Sequence, residues 1–255
     1  MMIFQRIVRK LKRIAACYYL AFPKRVECNI CGWQGKHFIS DDWHENIICP
    51  QCGLEVRHRL LWASLTEIEE LKLEKLVEDK RILHFAAESQ LSPKFANLAK
   101  SYQTADFIKT SYDLQLDLAD MSTVADQSID LLIACDVLEH IPNHLKAIAE
   151  IYRVLSTKGY GIITVPQKDH LSKTFEDATI TDPKIREDVF GQVDHVRVYG
   201  DDFPSFLTAA GFRLTIINET NFPENLAEKW VLFPPKLSSR PLATNYRKIF
   251  FVQKS

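Results

Sequence analysis

The chain has 255 residues, 46% of them hydrophobic and 25% charged, with a formal net charge of −1. This composition supplies a full-sized core and excludes a disordered or collagen-like chain, and the near-neutral charge gives no general pull toward nucleic acid. No apolar run approaches the roughly 18–20 residues that cross a bilayer, so the chain reads as cytoplasmic, at most peripheral at the inner face of a membrane.

The first 26 residues contain no acid but carry Arg6, Arg9, Lys10, Lys12, Arg13, Lys24 and Arg25. Ile3, Phe4, Ile7, Val8, Leu11 and Ile14 recur at helical spacing, which predicts a basic amphipathic helix over residues 2–20 of a segment 1–22. Such a helix packs on its own domain, frays in solvent or rests on anionic lipid. Charges interrupt every apolar stretch in it, so it does not read as a signal peptide.

Residues 23–58 carry Cys28-x2-Cys31 and Cys49-x2-Cys52, separated by 17 residues. This spacing suits a zinc-ribbon-like module with one structural Zn2+ on four thiolates, because each tight turn aims two sulfurs at one ion. Gly32 and Gly53 follow the second cysteine of each knuckle, where positive φ is expected. Four ligands leave no open position, so the metal is expected to hold the fold rather than to catalyse. A pair of disulfides would need an oxidising compartment. Between Glu27 and Gly53 only Lys36 stands against four acids, a balance that disfavours phosphate and hence nucleic acid.

Leu60, Leu61, Leu65, Ile68, Leu71 and Leu76 predict one long helix from 56 to 80, of which residues 59–80 would connect the module to the main domain. Arg57-His58-Arg59 at its start reads as a solvated face or as a reach toward an anionic group. Residues 81–255 then alternate strand and helix patterns, which implies parallel strands with crossovers. Strands are expected at 81–85, up to 106, over 114–118, over 129–135 and over 161–165. A helix over 201–211 should precede strands 212–217 and 248–252, which together would make the antiparallel edge of a seven-stranded sheet. Residues 218–245, with four prolines, read as loop. Ligands of such sheets bind at the carboxyl ends of the strands, where residues 136–140 fall. Asp106 ends its strand about 20 residues after the first loop, the place of a ribose-gripping acid.

The segment 166–200 is long for a connection and rich in apolar residues, which suggests function. Within it Asp194-His195 pairs a carboxylate with an imidazole, a general-base candidate. Arg186 and Arg197 could hold an anionic substrate, with Tyr199 beside them. The competing reading is a lid tied down by its own salt bridges.

Ile129-Asp130, Val137-Leu138-Glu139-His140-Ile141-Pro142, Glu150-Ile151-Tyr152-Arg153-Val154-Leu155 and Lys158-Gly159-Tyr160-Gly161 resemble the signature of class I S-adenosylmethionine (SAM)-dependent methyltransferases. The resemblance runs from about residue 81 to 212. Ile129 stands where the family has an aromatic residue, and Tyr160 splits the usual glycine pair. Leu83-His84-Phe85-Ala86-Ala87-Glu88 is similar to the LHFAPE motif of one subfamily. That subfamily's later motifs match at Glu176, Asp177, Asp182, Pro183, Arg186 and through residues 190–200.

The resemblance implies a Rossmann-like α/β fold with a seven-stranded, mostly parallel sheet, and SAM as cofactor. It implies that Phe85, Ala86 and Glu88 shape the methionine loop and that Asp117 meets the adenine amino group. Leu118 would lie against the adenine ring, with Cys135 and Asp136 bordering the sulfonium. The family's first loop is glycine-rich, whereas this chain has no glycine between Gly53 and Gly159. Ala86 is therefore expected to turn with negative φ. In the family the Leu-Glu-His triplet shapes a loop at a helix start, while a direct acid–base role is the alternative. The acceptor implied is a small molecule or saccharide. The alternatives are a catalytically silent SAM-fold scaffold and an RNA-modifying methyltransferase with a zinc ribbon.

Overall fold

The computed structural model describes residues 2–108 and 111–254, apart from the side chains of residues 2–7 and 9. In chain order its elements are α1 (Met2–Tyr19), β1 (Val26–Glu27), β2 (Gln34–Gly35), α2 (Val56–Glu67), α3 (Leu73–Leu76), β3 (Arg81–Phe85), α4 (Ser92–Ala96), β4 (Ser101–Asp106), β5 (Leu114–Gln115) and β6 (Ile129–Cys135). Then follow α5 (His144–Val154), β7 (Leu155–Thr164), β8 (Phe175–Glu176), α6 (Pro183–Phe190), β9 (Arg197–Val198), α7 (Phe203–Ala209), β10 (Phe212–Ile217), α8 (Glu224–Trp230) and β11 (Ile249–Lys254). Two compact units result. One takes the chain up to Ile68 and again from Asn218 to Arg247; the other takes Glu69–Ile217 and the chain from Lys248 on.

The second unit is built on a seven-stranded sheet of order β10-β11-β7-β6-β3-β4-β5. β3 pairs in parallel with β4 and β6, β4 with β5, and β6 with β7, whereas β11 runs antiparallel to both β7 and β10. The continuous apolar runs of β3 and β6 are buried on both faces, the pattern of a parallel strand covered on each side. α5 turns Ala147, Ile148, Ile151 and Val154 into the same core. Between β3 and β6 the strand order reverses, which opens a crevice at their carboxyl ends.

Two clamps fix the far end of the strands. Arg81 gives Asp130 its backbone N–H (3.0 Å), Nε (2.8 Å) and Nη2 (2.7 Å), and Ser156 adds a hydroxyl at 2.9 Å. The Arg81 guanidinium thereby holds the Asp130 carboxyl well below the usual carboxylate range. Arg153 spans Glu150, Asp126 and the carbonyls of Met121 and Val124. Asp130, Glu150 and Arg153, three letters of the family-like signature, thus act as tethers.

Several expectations are corrected. The single helix over 56–80 breaks at Ile68, whose backbone is extended. Residues 218–245 are not all loop, because α8 lies within them, entered from Pro223, a residue favoured at helix starts. They group with the cysteine-bearing unit rather than with the sheet, so the boundaries 23–58, 59–80 and 81–255 do not follow the compact units. The antiparallel edge forms as expected, from β11 and, outermost, β10.

Candidate functional site

The crevice holds a cavity of about 840 Å³ lined from the carboxyl ends of four strands. β3 contributes Phe85 and Ala86, β4 contributes Asp106 with Phe107 and Ile108, β5 leads to residues 116–119, and β6 leads to Asp136 and Val137. The volume lies within the roughly 300–1,000 Å³ of small-molecule sites. Phe107 and Ile108 are 67% and 65% exposed beside it, an apolar rim that a planar ring would cover.

The two loops entering the cavity are conformationally unusual. Ala86 has φ 48° and Asp136 φ 51°, left-handed conformations that disfavour a side chain by about 1–2 kcal/mol. The expectation of negative φ at Ala86 is therefore wrong: the loop turns as a glycine would, with an alanine in place. Its N–H donates to the Ala105 carbonyl at 2.9 Å, and that of Asp136 to the Thr164 carbonyl at 2.9 Å. These backbone bonds and a hydroxyl hydrogen bond from Thr164 to Asp136 (2.8 Å) hold the turns in place.

Seven of the expected site residues meet at this cavity: Phe85, Ala86, Asp106, Asp117, Leu118, Asp136 and Asp194. Asp106 and Asp117 each use one carboxylate oxygen locally, accepting the N–H of Ile108 and of Ala119 at 2.8 Å. A carboxylate has a second oxygen to offer a ligand. Glu88 and Cys135 are not on the wall. Glu88 instead lies 3.5 Å from His84 Nε2 and accepts at its carbonyl the N–H of Ser92 at the start of α4.

The expected substrate ligands are placed behind the wall rather than on it. Arg197 is 2% exposed and donates to the carbonyls of Leu138 (2.9 Å), Ile141 (2.5 Å) and Pro142 (2.8 Å) and to Glu176 (3.0 Å). The Tyr199 hydroxyl, fully buried, donates to the Leu138 carbonyl and sits 3.0 Å from His144 Nδ1. Both side chains staple the 138–142 turn, so the lid reading of 166–200 fits them and direct substrate contact does not. Arg186 donates to the Ile180 carbonyl within its own segment and is absent from the cavity wall.

His195 is 4% exposed and off the wall. Its Nδ1–H donates to the Phe190 carbonyl at 3.1 Å, its ring meets His140 edge-on at 4.7 Å, and burial holds its pKa below the ordinary value. A general base must reach its proton directly or through one water, and this ring does not face the cavity. His140 does, with Nδ1 3.3 Å from Asp194. His144, four residues on from His140, is buried. Sequence reasoning missed Phe107, Ile108, Asn143 and Lys146 on the wall. The apolar pair directly after the strand-ending Asp106 was the available signal.

In the other unit the two knuckles are near copies. Gly32 N–H donates to the Cys28 carbonyl and Gly53 N–H to that of Cys49, each at 2.8 Å. Both glycines take positive φ, 75° and 78°, as their positions led one to expect. The four thiols converge within 4.8 Å of one another, with Cys28–Cys52 at 3.7 Å and Cys31–Cys49 at 3.6 Å. Tetrahedral bonds of about 2.3 Å place sulfurs about 3.8 Å apart, so the donor set fits zinc. Hydrogen bonds from Cys31, Cys49 and Cys52 pull Cys28 down, and hydrogen bonding to Cys28 pushes Cys49 up. A bound cation would relieve that crowding.

Arg59 is fully buried against this cluster. Its guanidinium donates to the carbonyls of Trp230 (2.6 Å), Val231 (3.1 Å) and Leu54 (3.2 Å) and lies 4.1 Å over Phe38. Burial draws its pKa down to about 10, still charged at neutral pH. Neither sequence reading of Arg57-His58-Arg59 anticipated a buried cation.

Residues 79–163 match the model of a family described as "Methyltransferase domain". A curated relative, an uncharacterized protein of Methanocaldococcus jannaschii, is 48% identical over 48 residues, 19% of this chain, and the chain spans about a fifth (21%) of that relative. Among solved structures, the CurJ carbon methyltransferase superposes with a TM-score of 0.50 at 14% identity, over 78% of this chain and 55% of its own. The Burkholderia thailandensis 1,6-didemethyltoxoflavin-N1-methyltransferase, solved with S-adenosylhomocysteine, gives 0.48 at 12% identity, over 78% and 82%. Residues 79–163 thus match a methyltransferase domain, in a chain whose sheet has the Rossmann-like methyltransferase fold.

Proposed function

We propose that the protein is a SAM-dependent methyltransferase whose cofactor occupies the cavity above β3, β4, β5 and β6. The observation carrying this reading is the meeting of Asp106, Asp117 and Asp136 with an apolar wall at the switch point. Asp106 would take the ribose hydroxyls, Asp117 the adenine amino group, and Leu118 with Phe107 and Ile108 the ring faces. The glycine-free first loop is compatible, because Ala86 already adopts the left-handed turn. Bound SAM supplies an electrophilic methyl group on a sulfonium. The chain's own part is to align the acceptor, exclude water and receive a proton, since methyl transfer draws mostly on positioning. Asp194, on the cavity wall, keeps the role of proton acceptor; His195 does not share it.

The acceptor is proposed to be a small molecule or saccharide rather than nucleic acid, given the acidic balance of the cysteine module. One structural Zn2+ on Cys28, Cys31, Cys49 and Cys52 completes the reading. A cytoplasmic protein with peripheral contact through α1 is the proposed setting. Among the described residues no helix is long and apolar enough to cross a membrane.

Calorimetric titration of the zinc-loaded full chain with SAM and S-adenosylhomocysteine tests the enzymatic reading. One site per chain is expected, weakened roughly tenfold or more in Asp106→Ala and Asp117→Ala, as loss of a charge-assisted hydrogen bond requires. No heat with either nucleoside would leave a scaffold in place of an enzyme.

A further inference from the structure

His195 has a role left over. Its Nδ1–H is committed to the Phe190 carbonyl, which fixes the tautomer and leaves Nε2 as a lone pair. That Nε2 is buried and without a hydrogen-bond partner, a costly state for a polar atom. Ligand-competent atoms of Glu139, His140 and His195 all lie within 4.8 Å of one another. Glu139 is 1% exposed and His195 4%, whereas His140 opens onto the cavity. Asp194 stands 3.3 Å from His140 Nδ1.

We infer that Glu139, His140 and His195 bind a divalent first-row transition-metal ion, at a site that reaches the cavity through His140 and is separate from the four cysteines. Two imidazoles and one carboxylate form a donor set that such ions take while keeping positions open for other ligands. The surroundings have the form of a metal site's supporting shell. One histidine is oriented by a backbone carbonyl, and the other carries a carboxylate on its remaining nitrogen, as metal-bound histidines regularly do. Bonds of about 2.1 Å bring cis ligand atoms to roughly 3 Å, so these atoms, now within 4.8 Å of one another, would draw closer around an ion. On the methyltransferase reading, an open position on this ion would hold an oxygen of the acceptor, favouring hydroxyl-bearing acceptors.

The full chain, loaded with one equivalent of Zn2+ for the thiolates, is titrated with Mn2+ and followed by the paramagnetic resonance of the free ion. One Mn2+ per chain is expected. His140→Asn and His195→Gln should each weaken it roughly tenfold or more, with thermal unfolding of the metal-free variants as the folding control. His140 is 34% exposed, so its variant keeps the fold even where the His195 variant does not. Co2+ gives a second readout, visible absorption without a thiolate charge-transfer band. No ion bound beyond the zinc, or binding unchanged in His140→Asn, overturns the inference. SAM titration of the same sample separates the two claims: SAM binding without a second ion removes only the metal site, and an ion without SAM removes only the cofactor reading.

Discussion

His144 is packed edge-on against Phe206 at 5.1 Å and beside the Tyr199 hydroxyl. Burial, with Arg197 nearby, draws its pKa from 6.5 down to about 4. The folded state therefore binds fewer protons than the unfolded state between those values, and stability falls as pH drops through that window. At about 1.4 kcal/mol per unit, the contribution lost between pH 7.5 and 5 is about 2 kcal/mol. Urea unfolding at those two pH values should show this loss in the native chain and a smaller one in His144→Gln. Equal pH dependence in both would assign the acid sensitivity to other groups. The same buried network explains why Arg197 and Tyr199, attractive from the sequence as substrate ligands, serve the 138–142 turn instead.

α1 belongs to the element scale. Arg13 ties its last turns to the carbonyls of Pro50 and Gln51, yet Leu11, Ile14, Tyr18 and, beyond the helix, Phe22 remain exposed. Leu11, Ile14 and Tyr18 are spaced by three and four residues and so share one face. Of the amphipathic pattern, the side chains of Ile3, Phe4 and Ile7 lie outside the described residues. A basic helix with an uncovered apolar face suits an anionic interface. The full chain should co-sediment with vesicles containing anionic phospholipid at low salt, less at high salt and not with neutral vesicles. The triple variant Leu11→Ser, Tyr18→Ser, Phe22→Ser should stay in the supernatant. Failure of the native chain to pellet would end the membrane reading.

For the whole molecule, the chain enters the cysteine-bearing unit twice, before Glu69 and again between β10 and β11. Arg59 joins the two passages by binding the carbonyls that end α8. The small unit has short strands and a four-cysteine cluster to organise it, so on the zinc reading its folding is expected to depend on the ion. Chelation, or Cys49→Ser, should release about one zinc per chain and remove amide-exchange protection over residues 23–68 and 224–232. Protection over residues 81–165 should survive, because the sheet has its own core. Retained protection in the cysteine unit after metal loss would show that the thiolates do not hold it.

The sequence by itself determined the strand order's raw material. Apolar runs at 81–85 and 129–135, the cysteine spacing with its two glycines, and the acids at 106 and 117 all depend on local pattern; the structure has both strands, the converged thiols and both acids on the cavity wall. Only tertiary structure decided what Arg59, His144, His195, Arg197 and Tyr199 do. A polar side chain's role depends on whether its partners leave it facing water or a carbonyl, and those partners lie five to more than 170 residues away. The left-handed turn at Ala86 is of the same kind: its propensity argued against it, and backbone bonds to neighbouring strands outweighed that preference.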